Sequence, residues 1–182
     1  MTGLLAIVAW LAVLDPPRTR LGFPERDAGR AKMGIVGPGV VLGITILLVI
    51  AAAANSVLDA LEITPEMFRI AAGFVLLIEA TRMLLVPEPA QEPVAKGWRG
   101  AVWPVAYPRV ITPAAIALAL TTGASDGVPW LPMVIGGTAL IGLGAVAPGP
   151  MGRRVLVALG RLLVVVVVLA AVWLAIAGVR EV

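Results

Sequence analysis

Residues 155–179 read VLVALGRLLVVVVVLAAVWLAIAGV, with Arg161 the one charged side chain in the run. About 20 such residues cross the hydrocarbon of a bilayer as a helix. Lipid offers no partner to an open backbone N–H or C=O, so only helices and closed barrels are stable there. Barrel strands alternate in hydrophobicity over short segments, whereas the apolar run here is continuous. Five further apolar runs precede it, at 3–14, 34–54, 67–86, 100–122 and 129–147. The expected fold is therefore an all-α polytopic membrane protein with six membrane segments in one integral domain, 1–182. Residues 3–14 are too short to cross a bilayer. That run reads as a half-helix broken at Pro16-Pro17 or as one that ends in the interface, and without a basic lead or a small-residue cleavage site it is not expected to be a signal peptide.

Composition narrows the chemistry. The chain is 60% hydrophobic and 14% charged, where soluble domains average about 25% charged. It has no cysteine and no histidine. That removes disulfides, thiol nucleophiles, thiolate or imidazole metal sites and every scheme with an imidazole base. No paired-carboxylate or nucleophile motif takes their place. No enzyme activity, cofactor or metal is expected. The net charge of +3 sits in short loops rather than on a long basic surface, so no nucleic-acid partner is expected.

Loop charge sets the expected orientation. Basic residues follow segment one (Arg18, Arg20, Arg26, Arg30, Lys32), segment three (Arg82, Lys96, Arg99) and segment five (Arg153, Arg154), and none follows segments two and four. This alternation predicts three cytoplasmic loops in a multi-pass plasma-membrane protein with both termini outside the cytoplasm. Trp98, Trp103, Trp130 and Trp173 lie near span ends, as interfacial anchors do.

The fourth segment contains Trp103-Pro104-Val105-Ala106-Tyr107-Pro108-Arg109-Val110-Ile111-Thr112-Pro113. Each proline lacks an N–H donor and obstructs a carbonyl one turn back, and each pushes the preceding residue toward extended geometry. The helix should break near its middle and leave Tyr107, Arg109 and Thr112 beside unwound backbone. Such backbone survives at membrane depth only inside protein or along a cavity. The first segment breaks comparably at Asp15-Pro16-Pro17-Arg18. Three segments on each side then form two inverted three-segment repeats, 1–86 and 100–182, joined by a cytoplasmic linker at 87–99. Pro16 corresponds to Pro108 and Gly73 to Gly160, with a gap. Paired interrupted segments point to a transporter's midplane site; prolines that merely bend helices for packing are the plainer alternative.

Several stretches resemble one family. Phe68-Arg69-Ile70-Ala71-Ala72-Gly73-Phe74-Val75-Leu76-Leu77, Trp103-Pro104-Val105-Ala106-Tyr107-Pro108 and Thr112-Pro113-Ala114-Ala115-Ile116 are similar to third- and fourth-segment motifs of the MarC family, in the LysE-like superfamily of small six-helix membrane proteins. Asp15-Pro16 stands where that family has Asn-Pro, and Thr112 where it has glycine. The resemblance implies a transporter-like fold. The departures fall at the broken helices, so no substrate carries over.

Six polar residues are candidates for a substrate site: Asp15, Arg18, Tyr107, Arg109, Thr112 and Arg161. Arg109 would hold an anionic group by paired hydrogen bonds, or pair with Asp15 across the two breaks; Arg109→Gln is then expected to remove binding. Asp15 is either a coupling carboxylate or a cap and partner for Arg18 or Arg109. Tyr107 and Thr112 would be uncharged donors, unless exposed carbonyls satisfy them. Arg161 lies inside an apolar helix. Glu79 and Arg82 are spaced for a local pair, as are Glu66 and Arg69. The arginine excess favours a secondary carrier, exporter or translocase with a small or lipid-linked anionic substrate. The alternative is a non-catalytic subunit of a larger membrane complex. Expected partners are membrane lipids and that substrate, with a homodimer or a membrane-protein partner open.

Overall fold

The computed structural model describes residues 3–22, 30–85, 98–145 and 150–181. Among these the chain is helical and forms no strand. The helices are α1 (Gly3–Leu14), α2 (Pro16–Leu21), α3 (Arg30–Ala52), α4 (Ala54–Ala60), α5 (Pro65–Leu85), α6 (Trp98–Val110), α7 (Pro113–Ser125), α8 (Trp130–Ala145) and α9 (Pro150–Glu181). The loop residues Arg26 and Lys96, and most of the 87–99 linker, lie outside the described residues.

Three helices start with one device, a capping side chain directly before a proline. Pro16 bars its predecessor from the right-handed helical region, and Asp15 sits at φ 40°, ψ 65°. Aspartate is one of the few residues that enters this left-handed region readily. Its Oδ1 accepts from the Arg18 N–H at 3.2 Å. Thr112, extended at φ −104°, ψ 159°, accepts from the Ala115 N–H at 3.0 Å. Thr64 accepts from the Met67 N–H at 3.4 Å. Proline loses nothing at the first helical position, where its missing N–H would have no intrahelical partner. Thr112→Ala is expected to cost about 1 kcal/mol in an unfolding titration, and Thr112→Ser close to nothing.

The short connection between the second and third segments is itself helical, as α4. Leu58 and Ala54 of α4 are buried. Glu62 stops the helix at φ 54°, and the Ile63 N–H reaches back to the Leu58 carbonyl at 3.0 Å, a left-handed stop that closes the last turn.

Lipid tails are as apolar as leucine, so helix association in a membrane depends on close packing and small residues. Helices α5 and α9 are the most extensively packed pair and run antiparallel. At Gly73 an added Cβ would lie 2.8 Å from the Ala171 carbonyl, and at Gly178 one would lie 2.6 Å from Ile70. Helix α3 runs parallel to α6 and α7. Gly39 faces Val105, Gly43 faces Val110, and Gly123 meets the Ala51 backbone. Helix α8 packs on α1, α2 and α3, with Gly136 against Leu14. Trp10, Leu14, Leu47, Leu76, Leu118 and Met133 lie at the centre.

Helices α6 and α7 meet at a bend of 68°. The turn comes at Ile111-Thr112, five residues after the second of two earlier interruptions. Trp103 (φ −125°, ψ 124°) and Tyr107 (φ −126°, ψ 135°) are extended inside α6, each followed by a cis proline bond. The second segment, in contrast, carries Pro38 inside α3 without interruption.

Among the described residues, by length and apolarity alone, two helices qualify as spans, 34–52 within α3 and 152–180 within α9, or three with the bent α6–α7 pair. The expected six exceeds that number for two physical reasons. Over the described residues α1 has 12 residues and α8 has 16, both under the usual span. Helix α5 is long enough but carries Glu66, Arg69, Glu79 and Arg82.

Candidate functional site

A cavity of about 390 Å³ opens between α2, α5 and α9. Asp15 and Arg18 border it from the first break, Met83 and Leu84 from the end of α5, and Gly160 and Arg161 from α9. It lies beside the break between α1 and α2.

Asp15 is 4% exposed. Its Oδ1 caps α2, while Oδ2 is buried with no hydrogen-bond partner among the described residues. Glycine at 160 makes the room: a Cβ built there would stand 3.9 Å from Asp15 Oδ1. Arg18 is half-buried, within electrostatic reach of Asp15, Glu79 and Arg82. Glu79 and Arg82 form the expected local pair, at 3.6 Å. Arg161 is exposed on α9. The remaining lining is apolar, including Leu21, Leu156 and Val164. The cavity thus combines two guanidiniums and one incompletely satisfied carboxylate with hydrocarbon walls.

Three of the six candidates therefore share a cavity, and three are elsewhere. Arg109 donates from Nη1 to the Thr19 carbonyl at 3.1 Å and from Nη2 to the Gly22 carbonyl at 2.8 Å. These carbonyls end α2 without intrahelical partners, and a cation is favoured there. Arg109 thus joins the two broken segments through the carbonyls at the end of α2. Thr112 caps α7. Tyr107 is about half exposed and its ring lies 5.5 Å from that of Trp103, tilted by 43°. The cavity at the first break is thus lined by α2, α5 and α9, without residues of the fourth segment.

Sequence reasoning missed Gly22 and the role of Gly160. A Cβ at Gly22 would lie 2.8 Å from Arg109 Nη1, so the clamp needs glycine there. Gly73, by contrast, is packed on Ala171. Their one local signal was adjacency, of Gly22 to the end of the proline-started turn and of Gly160 to Arg161. A second cavity of about 280 Å³, bordered by Leu5, Val8, Leu118 and Trp173, has no charged lining. It offers dispersion contacts and little polar chemistry.

No family model, no curated protein and no solved structure matches this chain.

Proposed function

We propose that this chain is a small multi-pass membrane carrier, exporter or translocase for an anionic substrate, built as two inverted halves of three segments. The observation that carries the reading is the cavity at the first helix break, where Arg18 and Arg161 converge within apolar walls beside Asp15. Ionisable groups at membrane depth are costly and mark substrate paths more often than they serve as structural filler.

Helix directions support the inverted architecture. Six crossings that alternate in direction set segments two and four parallel, and three and six antiparallel; α3 with α6–α7 and α5 with α9 have those relations. The packing also keeps its pattern when the halves are exchanged. Helix α3 packs on α6–α7 as α8 packs on α1–α2, and α5 packs on α7 as α9 packs on α1–α2. In this arrangement the corresponding breaks are Asp15-Pro16 and Thr112-Pro113, each a capped proline start, in place of Pro16 and Pro108. The short α1–α2 and α8 would be sheltered by longer neighbours. The MarC-like stretches fit the same plan, with the basic connections cytoplasmic and both termini outside.

Native mass spectrometry on protein extracted gently from its own membrane tests the reading. A retained anion should be lost on Arg161→Gln, with affinity down roughly tenfold or more. A stoichiometric protein partner with no dependence on Arg161 would replace the carrier by a complex subunit.

A further inference from the structure

We propose that the cavity between α2, α5 and α9 receives a phospholipid headgroup bearing a primary ammonium next to its phosphate, and that the lipid enters sideways from the bilayer. This rests on the reading that the arginines of this cavity hold an anionic group, here the phosphate, and adds a cationic group opposite Asp15.

The ammonium follows from Asp15. Its carboxylate is buried, one oxygen caps α2, and the other has no hydrogen-bond partner among the described residues. A ligand with only negative groups would bring like charge to that carboxylate and leave Oδ2 unsatisfied, which is costly in a dry site. A ligand N–H donor with positive charge meets both needs. No described part of α8 brings a competing charge, since residues 130–145 contain none. On α5, Glu79 and Arg82 hold each other. Arg109 is fastened to the Thr19 and Gly22 carbonyls.

The phosphate, and its lipid source, follow from Arg161. It is exposed on α9 beside Leu162, Val165 and Leu169, which are 62%, 57% and 64% exposed and form the outward stripe of an apolar helix. A guanidinium on such a stripe must reach toward the headgroup layer or draw an anion to itself. It also borders the cavity together with Arg18. The cavity's edge carries Leu84 and Val165, both more than half exposed, so it opens on the side of the lipid-facing stripe. Helices α5 and α9 are packed together around Gly73 and Gly178, and α2, packed on α9, faces the end of α5 across the cavity. The resulting wedge is polar at Asp15 and Arg18 and apolar toward its mouth, matching a headgroup with acyl chains trailing outward. Its size falls in the range of small-ligand sites, roughly 300–1,000 Å³.

The test is native mass spectrometry of the full chain with defined lipids: phosphatidylethanolamine, phosphatidylcholine and phosphatidylglycerol. Phosphatidylcholine keeps the cationic charge but has methyls in place of N–H donors. Phosphatidylethanolamine is expected to be retained roughly tenfold better than either competitor. Asp15→Asn keeps a capping oxygen for α2, so its thermal midpoint should hold while the preference disappears. Arg161→Gln should weaken retention of all three lipids. Equal retention of phosphatidylethanolamine and phosphatidylcholine, or a preference that survives Asp15→Asn, would overturn the proposal. Phosphatidylglycerol bound as well as phosphatidylethanolamine, with dependence on Arg161, would overturn the ammonium inference but leave the anionic reading intact. Indifference of every lipid to Arg161→Gln would overturn both. Soluble phosphoethanolamine that competes as well as the lipid would overturn the sideways route.

Discussion

Arg109→Gln is expected to lower unfolding stability by about 3 kcal/mol, because hydrogen bonds to a charged donor are each worth roughly 1.5–3 kcal/mol net. Two such bonds, to the Thr19 and Gly22 carbonyls, are lost together. A glutamine amide is too short to span both, and the last carbonyls of α2 also lose the cation at their negative end. Arg109→Lys should fall between, since an ammonium supplies charge without the planar fork. Denaturant unfolding in mild detergent measures the series. Retention of anions should persist in folded Arg109→Gln protein, whereas Arg161→Gln should lose anions and keep its stability. The reverse pattern, a stable Arg109→Gln that no longer binds, would return Arg109 to the substrate site.

Gly123→Ala should produce a loss of similar size, about 3 kcal/mol, at the upper end of what overpacking costs. A Cβ at Gly123 would land on the backbone carbonyl of Ala51. Both partners are main chain, so no rotamer change relieves the clash, and α7 must move away from α3. The matched control is Gly142→Ala on α8, where a Cβ meets nothing within 4 Å. There the substitution should stabilise by roughly 0.5–1 kcal/mol, the usual helix gain of alanine over glycine. One chemical change thus has opposite signs at two glycines. Equal melting shifts would mean that the close α3–α7 approach is absent.

Much of the local structure was legible because it depends on neighbours in the chain. Apolar run length dictates helix where lipid excludes every open backbone group. Asp15 and Thr64, each before a proline, cap the helices that follow, and i,i+3 spacing joins Glu79 to Arg82. The broken first and fourth segments were visible for the same reason. Even here the prolines were not equivalent: Pro38 continues α3, while Pro113 opens a new helix after a 68° bend.

What only the tertiary structure decided is which charges meet. Nothing local to Arg109 says that its fork closes on carbonyls 87 and 90 residues away. Nothing local to Gly160 says that it makes room beside Asp15. An arginine within an apolar segment must find acceptors, and that much is physics of the sequence. Whether those acceptors are a ligand's oxygens or the open end of another helix depends on how α2 lies against α6, α5 and α9. Helix ends leave carbonyls open, and the packing puts Arg109 on those of α2 while Arg18 and Arg161 border the cavity.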